Sequence, residues 1–310
     1  MARHLVSPRG DRIIDYRSST LCIGHRGARA FAPENTLTSF RKAAAMGCEM
    51  IELDVHSSHD FEVVVHHDDK LNRCTDVAAK FPARAYNFLS DFTLAELKSL
   101  DAGSWFVKEL ALPLNERQGF LKELTLLEQT QYVTDAEIQE YASGTITIPT
   151  LQEALMAAQE LNLMVNIEIK SLPRMYPNIA SAVVALVRSL GMERSVLISS
   201  FDHYQLEIVR TLAPLLCTGV LTSNRLVHIG EYLQLIDADA YHPGCYDDFD
   251  SLGLGSATGK FDPSGLRDAK NHSMMTFVWT CNNSSHAHQL ITEGVTGIMT
   301  DYPNRVTRNV

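Results

Sequence analysis

The stretch LCIGHRGARAFAPENTLTSFRKAAAMGCEMIELDV, residues 21–55, decides the fold. Its two ends, Leu21–Gly24 and Met50–Val55, are short apolar runs of the kind that fill a buried strand. Between them, Thr36–Met46 carries apolar residues at helical spacing. A strand, a loop, a helix and a second strand in this order predict a parallel βαβ unit. The same unit concentrates a histidine, His25, an arginine, Arg26, and the carboxylates Glu34, Glu52 and Asp54. A buried charge is costly unless it is paired or bound to a metal, so this concentration marks a place where something reactive is held.

Working outward, the rhythm repeats. Further strands are expected at Met164–Ile169, Val196–Ser200, Cys217–Leu221, Ala238–Tyr241, Thr276–Thr280 and Gly297–Thr300. Helices are expected at Leu151–Asn162, Asn178–Leu190, Tyr204–Leu212, Leu226–Ile236, Pro263–His272 and Ser285–Glu293. Eight strands with interleaved helices in 310 residues predict an α/β fold, a (β/α)8 TIM barrel whose reactive groups lie at the C-terminal strand ends. One interval breaks the rhythm, between the second strand and its following helix. The alternating run Phe61–Val65 predicts an antiparallel arm, Thr93–Leu100 a helix, and Lys108–Tyr141 a strand-free segment rich in Leu, Glu and Gln. Residues 59–148 therefore read as an insertion, either covering part of the barrel mouth or forming a solvated elaboration away from it.

Composition narrows the class. A chain 45% hydrophobic with a formal charge of −10 reads as an ordinary soluble globular protein, and lacks the clustered Lys and Arg that nucleic acid or an anionic membrane surface requires. A phosphate-bearing substrate needs a local cation instead. No apolar run approaches the roughly 18 residues of a membrane span. Met1–Thr20, despite Arg3, His4, Arg9 and Arg12, has no apolar centre of signal-peptide length, so a cytoplasmic location is the expectation. The six cysteines, without CxxC or zinc-type spacing, read as buried reduced thiols.

Alternation places the chemistry. Glu52 and Asp54 stand two apart on a strand and share a face, as do Glu168 and Lys170 on the next. Three carboxylates from neighbouring strand ends repel one another unless a cation lies among them, and an all-oxygen set suits Ca²⁺ or Mg²⁺ rather than zinc. Arg26 and Lys170 supply a guanidinium fork and a point charge for a phosphate. His25, ending the first strand, can pass protons near neutral pH. A second histidine comes from Val65-His66-His67-Asp68-Asp69, where alternation sends His66 and His67 to opposite sides. His4, His56, His59, His203, His228, His272, His286 and His288 read as structural or exposed, and His242 stays open. Trp279 is open between core packing and a wall for an apolar or glycerol portion of substrate.

In order, HRG at 25–27, PENT at 33–36, Glu52-x-Asp54, His67-Asp68-x-x-Leu71-x-Arg73, Ile148–Leu151, Glu168-x-Lys170, Ser200–Asp202, Trp279–Asn282 and Thr300–Pro303 resemble the glycerophosphodiester phosphodiesterases over about residues 21–305. The resemblance implies a (β/α)8 barrel with an insertion after the second strand, in keeping with one barrel domain over residues 1–310 that holds 59–148 as an insertion or cap subregion. It implies His25 and His67 as an acid–base pair, Glu52, Asp54 and Glu168 as ligands of a divalent cation, and Arg26 and Lys170 on the phosphate. Glu34 is expected to organise the first loop and the substrate side of the site. The implied reaction is metal-dependent hydrolysis of a small-molecule glycerophosphodiester to sn-glycerol 3-phosphate and an alcohol. Alternatives are a lysophospholipase D-type activity on acylated substrates and a non-catalytic binding barrel. The oligomeric state is not legible. Two departures stand out: Arg73-Cys74-Thr75 where the family often has Arg-Thr-Thr, and residues 107–147, which exceed the usual short connection.

Overall fold

The computed structural model describes residues 20–171, 173–245, 253–255 and 260–306, with the backbone of a two-residue strand pair at Leu5–Val6 and Ile13–Ile14. The rest of 1–19, including His4, lies outside the described residues. Eight parallel strands close on themselves: β1 Leu21–Gly24, β2 Met50–Ser57, β3 Met164–Ile169, β4 Val196–Ser200, β5 Cys217–Thr222, β6 Ala240–Pro243, β7 Met275–Val278 and β8 Gly297–Thr300. Closure is made by β1, which pairs with β8 (Thr300 with Gly24) and with β2 (Ile23 with Met50). Helices follow the strands, among them Leu37–Ala45 after β1, Leu151–Glu160 before β3 and Ile179–Ser189 after β3.

The period of two along each strand sorts residues into two cores. Ile51, Leu53 and Val55 of β2 face outward and pack with Phe40, Ala43, Leu155 and Val183 of the helical layer. Met50, Met164, Leu197, Met275, Phe277 and Met299 fill the barrel interior from below. The interior positions above that apolar plug are where Glu52, Asp54, Glu168 and Asn166 stand. The packed plug leaves the mouth at the C-terminal strand ends as the place for a ligand.

Several boundaries differ from expectation, among them those of the sixth and seventh strands. The sixth strand runs Ala240–Pro243 rather than Ala238–Tyr241. Ala238 and Asp239 belong to the entry turn: the Ala238 amide bonds to Leu233 O, and the Asp239 carboxylate accepts from Arg210 and from the Thr218 amide. Pro243 is tolerated as the last strand residue, accepting from the Trp279 amide without an N–H of its own to satisfy. The seventh strand ends at Val278, so Trp279 sits just past it.

Between β2 and Leu151 the chain makes an arm and a run of short helices. Val63–Val65 pairs antiparallel with β2, Val55 opposite Val65. Helices follow at Leu94–Lys98, Ser104–Ala111, Leu126–Tyr132 and Asp135–Tyr141, and no strand occurs over 108–141. Threonine–glutamate capping boxes start three of these helices, at Thr93/Glu96, Thr125/Glu128 and Thr134/Glu137. Such caps matter for helices of five to seven residues, which have little propagation to offset nucleation. All six cysteines are buried. Among the described residues no helix is long and apolar enough to cross a membrane.

Candidate active site

A cleft of about 790 Å³ opens at the C-terminal mouth of the barrel, lined by His25, Arg26, Glu52, His67, Glu168, Lys170 and Trp279. Register builds its floor. Asp54 of β2 lies beside Glu168 of β3, and Glu52 beside Asn166, so the two strands carry their polar groups inward at matching heights. Oxygens of Glu52, Asp54 and Glu168 all lie within 4.8 Å of one another, and the three residues are buried.

Burial, then the charges of Asp54 and Glu168, push the Glu52 carboxyl well above the usual carboxylate range. Burial also raises Glu168, partly offset by the Lys170 ammonium, 2.5 Å from Glu168 Oε1 and 3.0 Å from Asp54 Oδ1. Asp54 is driven the other way: burial would raise it, but Lys170, His67 and Arg26 hold it below its ordinary range. Glu52 Oε1 and both polar side-chain atoms of Asn166 have no hydrogen-bond partner among the described residues. An orphaned carboxylate oxygen amid like charges fits a divalent cation, and the all-oxygen donor set suits a hard one.

The two histidines flank this trio in the same way. His25 Nδ1 lies 2.7 Å from Asp301 Oδ1, and its Nε2 is 3.9 Å from Glu52 Oε2. His67 Nδ1 lies 2.7 Å from Asp68 Oδ1. A carboxylate at Nδ1 favours the proton there, so each ring offers Nε2 to the cleft. Burial lowers the pKa of both rings, with Asp301 countering at His25, and with Arg26 and Lys170 adding to the fall at His67. Against burial, Arg29 and His25 hold Asp301 down to about 2. The choice between adjacent histidines resolves on the arm: His66 is buried with its Nε2 toward Lys70 O, whereas His67 lines the cleft.

Arg26 sits in the first loop with φ of 54°, and Gly27 follows at 86°. These left-handed turns reverse the chain so that the Arg26 amide donates to Glu52 Oε2 at 2.9 Å while its side chain crosses the floor. Arg26 Nη1 reaches Glu34 at 2.8 Å, and its Nε, 3.4 Å from Asp54, makes no hydrogen bond. Glu34 does not line the cleft. Its buried carboxylate is consumed by Arg26, Arg29 and Arg73, which hold its pKa well below the ordinary range against burial. Trp279 packs on the barrel plug and also lines the cleft, with its Nε1 donating to His242 O.

Sequence reasoning did not assign Asp301, Asp68, Asn35 or Arg73. Asp68 follows His67 directly, and Asp301 stands just beyond β8, whose Thr300 pairs with Gly24 beside His25, so both had a positional signal. Asn35 donates to Asp54 Oδ2 at 2.8 Å. His56, expected to be structural, bonds Tyr176 and the His67 carbonyl. His242 is buried on the barrel interior, outside the cleft lining.

The sequence model of the Glycerophosphoryl diester phosphodiesterase family matches residues 25–305. A glycerophosphodiester phosphodiesterase of Caldanaerobacter subterraneus is 31% identical over 284 residues, covering 92% of this chain and 95% of the relative. Among solved structures, a putative glycerophosphoryl diester phosphodiesterase from Silicibacter pomeroyi superposes with a TM-score of 0.73 at 26% identity, over 95% of this chain and 94% of that one. An Oleispira antarctica phosphodiesterase, solved in complex with the product sn-glycerol-3-phosphate, superposes at 0.68 and 26% identity over 94% and 96%.

Proposed function

Since the chain belongs to the glycerophosphoryl diester phosphodiesterase family and hydrolyses glycerophosphodiesters, we propose that it does so with a divalent cation and a histidine pair, releasing sn-glycerol 3-phosphate and an alcohol. The observation that carries this reading is the buried Glu52–Asp54–Glu168 trio flanked by two histidines, each with a carboxylate at Nδ1. Glu52, Asp54 and Glu168 hold the cation, Mg²⁺ or Ca²⁺. When bound, it neutralises the trio and draws charge from the phosphoryl oxygens.

Arg26, whose Nε makes no hydrogen bond, and Lys170 hold the phosphate from the side. Glu34 acts on substrate only through the arginines it fixes, and Trp279 forms the wall beside the glycerol. The substrate's own 2-hydroxyl attacks phosphorus as one histidine takes its proton at Nε2, while the other gives a proton to the departing alkoxide. The P–O bond to the leaving alcohol breaks and a cyclic phosphate forms. Water then opens the ring with the two roles exchanged. Both rings have lowered pKa values, so the negative phosphodiester, together with the carboxylate at Nδ1, supplies the field that favours the protonated acid.

General acid and base groups contribute about 10²–10⁴-fold each. His25→Ala and His67→Ala should each lose about that factor in kcat, with unchanged circular dichroism. Wild-type rates in either folded variant would refute the pair.

A further inference from the structure

We propose that Arg73 is a positioning residue, a clamp that orients His67 through Asp68 and ties it to the first loop through Glu34. The proposal rests on the histidine-pair reading above and names a residue that reading leaves without a part.

Arg73 lines the cleft beside His67, where a cation would ordinarily be taken for a phosphate ligand. Its hydrogen bonds exclude that role. The Nε donates to Asp68 Oδ2 at 2.7 Å, and Nη2 donates to Asp68 Oδ1 at 2.9 Å. Nη2 also donates to Glu34 Oε1 at 2.6 Å, and Nη1 to Glu34 Oε2 at 2.8 Å. Nη1 donates finally to Gln118 Oε1 at 3.1 Å. A guanidinium has five N–H donors, and these are five bonds, so Arg73 has no donor left for a substrate. Arg26 differs, since its Nε, though 3.4 Å from Asp54, makes no hydrogen bond.

The bonds are two forks back to back. One grips both oxygens of Asp68, whose Oδ1 also meets His67 Nδ1 at 2.7 Å. The other grips both oxygens of Glu34, which holds Arg26 and Arg29. His67 comes from the arm and Arg26 from the first loop, two segments with no backbone element in common. Arg73 fixes one relative to the other, and Gln118 adds the 107–147 segment to the same joint. A bidentate fork sets angle as well as distance, which an ammonium does not.

The test measures kcat and KM of full-length Arg73→Lys, Asp68→Asn and their double variant, on whichever glycerophosphodiester the wild type turns over fastest, with divalent cation supplied. Misplacing a catalytic ring costs about 10²-fold, so Arg73→Lys and Asp68→Asn should each lose about that in kcat. KM should stay within about 3-fold, because no phosphate contact is removed. The double variant should fall no more than about 3-fold below the weaker single one, since both cut the same linkage. An Arg73→Lys enzyme within about 3-fold of wild-type kcat, a loss expressed in KM, or a double variant showing the full product of the two losses would overturn the proposal. A fully active His67→Ala would instead remove the histidine pair on which it rests. An inactive His67→Ala beside a fully active Arg73→Lys removes the clamp alone.

Discussion

His242 shows how a single buried group can govern behaviour far from the chemistry. It lies on β6 facing the barrel interior, its ring centroid 5.0 Å from that of Phe277, and neither ring nitrogen has a hydrogen-bond partner among the described residues. Gly219 makes room for it: a Cβ there would stand 2.3 Å from His242 Nε2. Burial alone lowers its pKa to about 3. In the unfolded chain a histidine titrates near 6.5, so between those values the unfolded state binds one proton more than the folded one. Stability is therefore full above about pH 6.5 and is lost as pH falls toward 3, by about 1.4 kcal/mol per unit from this residue. Denaturant titrations should show His242→Leu losing less stability than wild type between pH 7.5 and 5, by about 2 kcal/mol. Parallel losses in the two proteins would contradict this. The residue-level reading of the sequence left His242 open for a physical reason: its partners depend on what the neighbouring strands place opposite it, which no local pattern encodes. The same holds for Asp301 with His25 and Glu34 with Arg73, joined across 276 and 39 positions.

At the level of elements, the first loop holds the site together. Gly27 at φ 86° brings the chain against the helix Leu37–Ala45 so closely that a Cβ would lie 2.3 Å from Ser39 Oγ and 2.7 Å from the Ser39 carbonyl carbon. The second of these is backbone and cannot swing aside. Gly27→Ala should displace Arg26, whose amide is bonded to Glu52, and reduce kcat/KM by about 10²-fold or more, with a lowered Tm. A variant with wild-type kinetics and Tm would show that the loop tolerates the shift. Elements were the most legible level of the sequence. The 180° alternation of β2 and β3 put Glu52, Asp54, Glu168 and Lys170 on one side without reference to anything distant, and the parallel register then brought them level. The arm was legible for the same reason, and alternation separated His66 from His67. What failed was the start of β6, where side-chain and turn bonds to Asp239 and Ala238 override the apolar pattern.

Across the whole molecule, the site exists only because the barrel closes. β1 brings His25 and Arg26, β2 brings Glu52 and Asp54, β3 brings Glu168 and Lys170, and Asp301 follows β8, which borders β1. The closed eight-stranded form follows from the repeated strand–helix order and its length. The segment 107–147 was legible only as strand-free, since short capped helices carry little periodicity, but Gln118, Phe120 and Lys122 of that segment line the cleft. Phe120 lies under the Arg29 guanidinium, 3.8 Å from its ring centre. The central claim is that the gathered carboxylates hold a divalent cation needed for turnover. Its most direct test is the rate of sn-glycerol 3-phosphate release after chelation, followed by addition of Mg²⁺ or Ca²⁺. Chelation should abolish release, and one of the two ions should restore it in wild type but not in Glu52→Gln. Undiminished release in excess chelator would contradict the claim.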